Sequence, residues 1–253
     1  MRQKIIPPHR SLRHMVFRPA CLLQGFVAAC LVDFLLVWQG NQILSWHSRA
    51  VEAYLQLAGV AWETGRELAV LPGVSVGLLR TSYLDYQDHP LYPWSFLGTT
   101  LALSVLGRRR CPVPLRPLLF LVPLSLGISL LYLQVISPAV PYNPEDFCAI
   151  WYRGETYLWL LLPWIFVLGF FILPVPIGLK MAWLSALLIY SFLWSAIRLA
   201  TALATFHYFG PLGMFFFYCA FGFLADFLYI VAFYSLAMDR AAEFLARQRE
   251  EWQ

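Results

Sequence analysis

Charged side chains are scarce in this chain: Asp, Glu, Lys and Arg make up 13% of its 253 residues, against about a quarter in a soluble globular domain. With 60% hydrophobic residues and a mean hydropathy of +0.64, that scarcity excludes an ordinary soluble domain and assigns the chain to a bilayer. Other absences narrow the function. There is no Gly-rich phosphate loop, nucleotide signature or metal-ligand spacing, so no cofactor is implied. No inverted repeat is visible, which argues against a repeat-built transporter. The net charge of +4 follows from topology and makes no case for nucleic-acid binding.

What is present is a series of apolar runs. A spanning helix needs about 20 predominantly apolar residues, and six segments qualify: 19–38, 91–107, 118–136, 157–173, 182–205 and 211–236. Basic residues near helix ends stay cytoplasmic. Placing the N-terminus inside puts most Lys and Arg there, including Arg108, Arg109, Arg110 and Lys180, and leaves Arg49, Arg66, Arg80 and Arg153 outside. The expected architecture is therefore all-α: one polytopic helical bundle over 1–253, six transmembrane helices, both termini cytoplasmic. The basic N-terminal stretch contains Pro7 and Pro8, and no small-residue cleavage site follows the first run, so that run reads as a retained helix.

Two external connections stand out. In 39–90, Val51, Tyr54, Leu55, Ala58 and Trp62 recur at helical spacing opposite Glu52, Gln56, Glu63 and Glu67, the pattern of an amphipathic helix on the membrane surface. The apolar stretch 68–79 is interrupted by Pro72 and Gly73 and is expected to re-enter the interface without crossing. In 137–156, Pro138, Pro141 and Pro144 predict an extended loop that carries Cys148 into the outer aqueous interface. Of the five cysteines, Cys148 alone falls outside, so an external disulfide within the chain is excluded. The third connection, 207–210, is short enough to make the last two helices a tight antiparallel hairpin with His207 at its tip.

Arg198 is the residue that most demands a reason, because it stands in the otherwise apolar run 182–205. An intramembrane charge costs several kcal/mol and is normally paired or faces a wet cavity. One reading groups it with Cys148 and His207: a thiolate nucleophile, a cation that stabilises it or an oxyanion, and a general base or acid. Nine residues separate Arg198 from His207, roughly 13 Å along a helix, a distance the side chain can largely snorkel. The bland reading makes Arg198 the structural ion-pair partner of Asp33, which falls at a similar depth. Asp226 falls deeper, toward the cytoplasmic half, and reads as a polar contact or a proton-relay position.

Cys148 ahead of one helix, Arg198 within Ser-Ala-Ile-Arg, and His-Tyr-Phe-Gly at 207–210 together resemble the exosortase/archaeosortase family of multi-pass membrane cysteine transpeptidases. The resemblance covers 137–236, about the C-terminal 100 residues. It departs from the family pattern at Ala149-Ile150, where Ser-Gly or Thr-Gly is usual, at Ser195, where Asn is usual, and near Tyr218, where a third catalytic His or Arg is expected. The resemblance implies a bacterial inner-membrane enzyme that cleaves C-terminal sorting signals of surface proteins on the outer face, with Cys148, Arg198 and His207 as catalytic residues. Its partners would be membrane lipid and protein substrates with a hydrophobic C-terminal tail. A non-catalytic scaffold subunit of a secretion, conjugation or envelope-assembly complex is the alternative. A transporter using Asp33, Arg198 and Asp226 is a third.

Overall fold

The computed structural model describes residues 19–83, 91–108, 116–135 and 143–250. The basic N-terminal stretch with Pro7 and Pro8, residues Arg109, Arg110 and Cys111, Pro138 and Pro141, and the side chain of Tyr218 lie outside the described residues. The described chain is mostly helical: α1 Pro19–Trp38, α2 Gly40–Leu57, α3 Tyr92–Gly107, α4 Arg116–Val135, α5 Pro144–Phe166, α6 Ile177–Phe221 and α7 Phe223–Glu250. Three stretches are long and apolar enough to cross a membrane: Ala20–Trp38, Pro144–Phe171 and Ile177–Pro211. The other three expected spans take different forms. Segment 91–107 is the 16-residue α3, the described part of 118–136, up to Val135, falls in α4 around Pro123, and 211–236 is divided at Gly222 between α6 and α7.

The all-α expectation is corrected by an antiparallel hairpin, β1 Trp62–Leu71 and β2 Val74–Thr81, which occupies the stretch expected to re-enter the interface. Its physical cause is local. Val74, Val76 and Leu78 alternate with Ser75 and Gly77 and bury one face, the period-two pattern of a strand. Pro72 and Gly73 form the turn, with Gly73 at φ 78°, a conformation glycine adopts without strain. Asn41 grips that turn from the first residues of α2, donating to Gly73 O at 3.0 Å and accepting from Ser75 N at 2.9 Å.

The amphipathic helix expected in 39–90 is met only in part: Val51, Tyr54 and Leu55 fall in α2, which packs inside the fold, whereas Trp62, Glu63 and Glu67 lie on β1. Gly40, Leu44, His47, Val51 and Leu55 are the buried stripe of α2, and they lie chiefly along α6. Segment 143–156, expected as the end of an extended loop, is the start of α5. Asn143 caps it by accepting from Asp146 N at 2.7 Å, Pro144 stands in the first turn, and Glu145 and Asp146 complement the helix dipole.

Helix α6 reverses direction at Gly210, whose φ 65° and ψ −169° are not helical. On either side of that point the chain pairs antiparallel: Arg198 reaches Gly222, Ser191 meets Tyr229 and Trp183 meets Phe233. Helices α3 and α4 pack on each other beside this unit, with Leu126 and Leu130 against Phe96 and Leu97, and Phe96 touches Phe209 at 6.2 Å between ring centroids.

The backbone at Gly210 belongs to a region that only glycine enters freely. Gly210→Ala is expected to destabilise the protein by about 1–3 kcal/mol, read as a lowered melting temperature in detergent. An unchanged melting temperature would mean that the reversal does not depend on this residue.

Candidate functional site

Three helices converge on Arg198. The residue is 2% exposed. Its guanidinium pairs with Glu155 of α5 and through Nη1 with Asp226 Oδ2 of α7 at 2.9 Å. Nη1 also donates to the carbonyl of Gly222 at 2.9 Å, where the chain breaks between α6 and α7. Trp151 lies beneath, with the guanidinium carbon 4.9 Å from its ring centroid, a cation–π contact that supplements the ion pairs.

The expected pairing with Asp33 is therefore corrected. Asp33 accepts from Trp164 Nε1 at 2.7 Å, on the side of α5 that faces α1, and Asp226 takes the role assigned to it. The reason is register. With the reversal at Gly210, Gly222 stands level with Arg198 and Asp226 only four residues further on, about 6 Å of helix rise. An extended arginine spans that distance.

A second buried layer adjoins the first. Ser195, one turn before Arg198, accepts from Trp151 Nε1 at 3.3 Å and meets His47 Nε2 at 3.2 Å. His47 is fully buried, with Tyr152, Trp159 and Phe192 edge-on at centroid distances of 5.5, 5.6 and 5.5 Å. Burial pushes its pKa down to about 4, so the imidazole is neutral at pH 7. His47 was not among the sequence candidates. The signal was the apolar stripe of α2, which continues back from Val51 and Leu55 to Leu44 and His47.

Cys148 does not stand in the aqueous interface. It is fully buried in the second turn of α5, and its thiol donates to the carbonyl of Leu79 on β2 at 3.4 Å. Glu155 follows seven residues later on the same helix, about 10.5 Å along its axis, with Trp151 and Tyr152 between. Glu155 is thus two helical turns from the thiol, and Trp151, beneath the guanidinium, one turn from it. His207 is half-buried and turned to the hairpin: Nδ1 donates to Ser82 O at 2.8 Å and lies 3.3 Å from Ser82 Oγ. The neighbouring Tyr208 hydroxyl donates to Ala58 O at 2.7 Å. The contacts described for Cys148, Arg198 and His207 do not join them into one constellation. Two of the three, Cys148 and His207, do meet the same element, the last residues of β2 and the one just past its end.

A cleft of about 840 Å³ opens at that end of the fold, lined among others by Trp62, Glu63, Arg80, Thr81, Ser82 and Glu145. Thr81 is 3% exposed, with a hydroxyl lacking a hydrogen-bond partner among the described residues. Cys148 lies one turn of α5 below Glu145, so the cleft adjoins the covered thiol. Among the described residues, no three His, Cys, Asp or Glu side chains are grouped to hold a metal ion.

No family model matches the chain, and neither a curated protein nor a solved structure matches it.

Two measurements check the geometry. In double-mutant cycles, Arg198→Ala with Asp226→Ala is expected to show coupling of about 0.5–3 kcal/mol, whereas Arg198→Ala with Asp33→Ala adds within about 0.5 kcal/mol. The His47 shift makes a pH prediction. Between its ordinary 6.5 and about 4, the unfolded chain binds the proton and the folded chain does not, so stability falls as pH drops through that window. Unfolding curves at pH 7 and pH 5 should show this loss in the wild type and lack that component in His47→Gln.

Proposed function

We propose that this chain is a non-catalytic integral membrane scaffold, a subunit of a secretion, conjugation or envelope-assembly complex in the bacterial inner membrane. One observation carries the reading: the thiol expected to act as nucleophile, Cys148, is sealed under β2 with its S–H engaged by Leu79 O. A thiol nucleophile acts as the exposed thiolate beside a cation or base, and the cation in question, Arg198, is bound to two carboxyl groups, Glu155 and Asp226. The hairpin and its cleft supply a surface for partner subunits. Ion pairs from Arg66 to Glu145 at 3.4 Å and to Asp146 at 2.5 Å fasten β1 to α5 beside it.

A second reading, the exosortase-like cysteine transpeptidase, is favoured by the cleft. Its walls include Asn143, Pro144 and Glu145 just before Cys148, and Ser82, which holds His207. In that reading the cleft receives the cleavage segment of a surface protein, the hydrophobic tail approaches through the lipid, and Cys148, Arg198 and His207 act together after a movement of β2.

Both readings meet in one experiment on native membranes. A membrane-impermeant maleimide should leave Cys148 unmodified from either side until the protein is denatured, and Cys148→Ala should copurify with the same membrane partners as wild type. Labelling of native Cys148, with surface proteins retaining their C-terminal tails by intact mass in Cys148→Ala cells at normal protein level, would replace the scaffold by the sorting enzyme.

A further inference from the structure

The cluster around Arg198 does not balance. Two carboxyl groups, Glu155 and Asp226, face one guanidinium, and if both were ionised the middle of the bundle would carry an uncompensated negative charge. Among the described residues, the other groups that face it bring no cation. From α2 comes His47, neutral and reached through Ser195. From α5 come Trp151 and Tyr152, from α6 Ser191 and Ser195, and from α7 Tyr229, bonded to Ser191 at 2.8 Å. Lys180, the other buried cation among the described residues, is held at the far end of α6 by Phe171 O at 2.7 Å. An isolated charge in such surroundings is removed by gaining or losing a proton rather than tolerated.

A second, independent observation locates the deficit. Each carboxyl group gives one oxygen to Arg198, and the other oxygen, Glu155 Oε2 or Asp226 Oδ1, is enclosed with no donor among the described residues. A carboxylate buried in ionised form calls for donors on both oxygens. An enclosed oxygen without a donor is the atom that can itself carry O–H.

We propose that Glu155 and Asp226 form a buried proton-binding site, in which one proton is shared between the two carboxyl groups and makes the Arg198 cluster electrically neutral. The ligand class is a monovalent cation, and the proton fits because the two vacant oxygens belong to groups already drawn onto one guanidinium. Binding forms one O–H bond from a carboxylate and a solvent proton, and release returns that proton to solvent, with no other reactant. The two acids titrate as a coupled pair. Because Glu155, Arg198 and Asp226 come from α5, α6 and α7, the charge of this one joint depends on whether the proton is present. The site is independent of whether the chain is a scaffold or an enzyme.

The test is infrared difference spectroscopy of the full-length protein in sodium-free lipid bilayers, titrated from neutral to alkaline pH. The expected result is a protonated-carboxyl C=O band at neutral pH that disappears on alkalinisation, is lost or displaced in both Glu155→Gln and Asp226→Asn, and persists in Asp33→Asn, which removes the other intramembrane acid. Glu155→Gln copies the shape of a protonated acid and should retain the wild-type melting temperature at neutral pH, while the Glu155→Gln/Asp226→Asn double variant leaves Arg198 without an anion and melts lower. The proposal is overturned if wild type lacks the band, if the band survives both single variants unchanged, or if it responds to added sodium at constant pH, which would make the site a sodium site. Even if a Glu155 or Asp226 variant fails to fold, a wild type without the band, or loss of the band in Asp33→Asn, overturns the proposal.

Discussion

A guanidinium enclosed by apolar helices has to be neutralised where it stands, and the rest of this fold is arranged around that requirement at Arg198. Glu155 arrives from one helix and Asp226 from another, so the same contact that satisfies the charge fixes the mutual register of α5, α6 and α7. Removing the cation of a buried ion cluster leaves its carboxyl groups uncompensated, at a penalty of about 3–5 kcal/mol. The cluster therefore acts as a joint. Trp151 under the guanidinium, and Ser195 between Trp151 and His47, extend the constraint to α2, so a single polar seam crosses four elements of an otherwise apolar core.

The opposite kind of constraint operates at the hairpin end. There β2 places Val74, Val76, Leu78 and Leu79 into the core, while polar grips from Asn41, Arg66 and His207 hold its turn, its outer strand and its exit. Burial of four aliphatic side chains contributes several kcal/mol, and the grips fix position more than they add stability, since exposed ion pairs contribute little. Cys148 is covered by the part of β2 that is apolar and packed. That is why the thiol is inaccessible even though it lies within one helical turn of an open cleft.

Much of this was legible in the sequence. Arg198 stood out by its isolation among apolar residues, the first long apolar run is α1, the first part of the amphipathic pattern after it lies in α2, and the short connection at 207–210 contains the reversal at Gly210. What was missed has local causes. The Val-Ser-Val-Gly-Leu alternation after Pro72-Gly73 is a strand signal within an apolar run, and bilayer reasoning hid it. Asn143-Pro144-Glu145-Asp146 is a helix start, but three prolines nearby suggested an extended loop. The partner of Arg198 was misjudged because depth was counted between backbone positions, without the reach of the side chain about a hairpin whose turn had been located correctly. His47 was overlooked because a single histidine on a mostly polar helix reads as a surface residue until its buried stripe is followed to the N-terminal end. Nothing in a single sequence could have paired it with Ser195, 148 residues away.

The order of the charges along the chain bears on how the protein is made. Glu155 is synthesised before Arg198, and Asp226 only after the reversal at Gly210 has left the ribosome. While α6 enters the bilayer it carries a cation with one of its two anions still missing. Glu155 is thus the residue that can accompany Arg198 into the membrane during biogenesis, and Asp226 the one that locks the arrangement when the last helix folds back. A chain truncated after Gly210 would leave the insertion machinery holding Arg198 neutralised by Glu155 alone, without the second carboxyl group that ties the last helix to the pair.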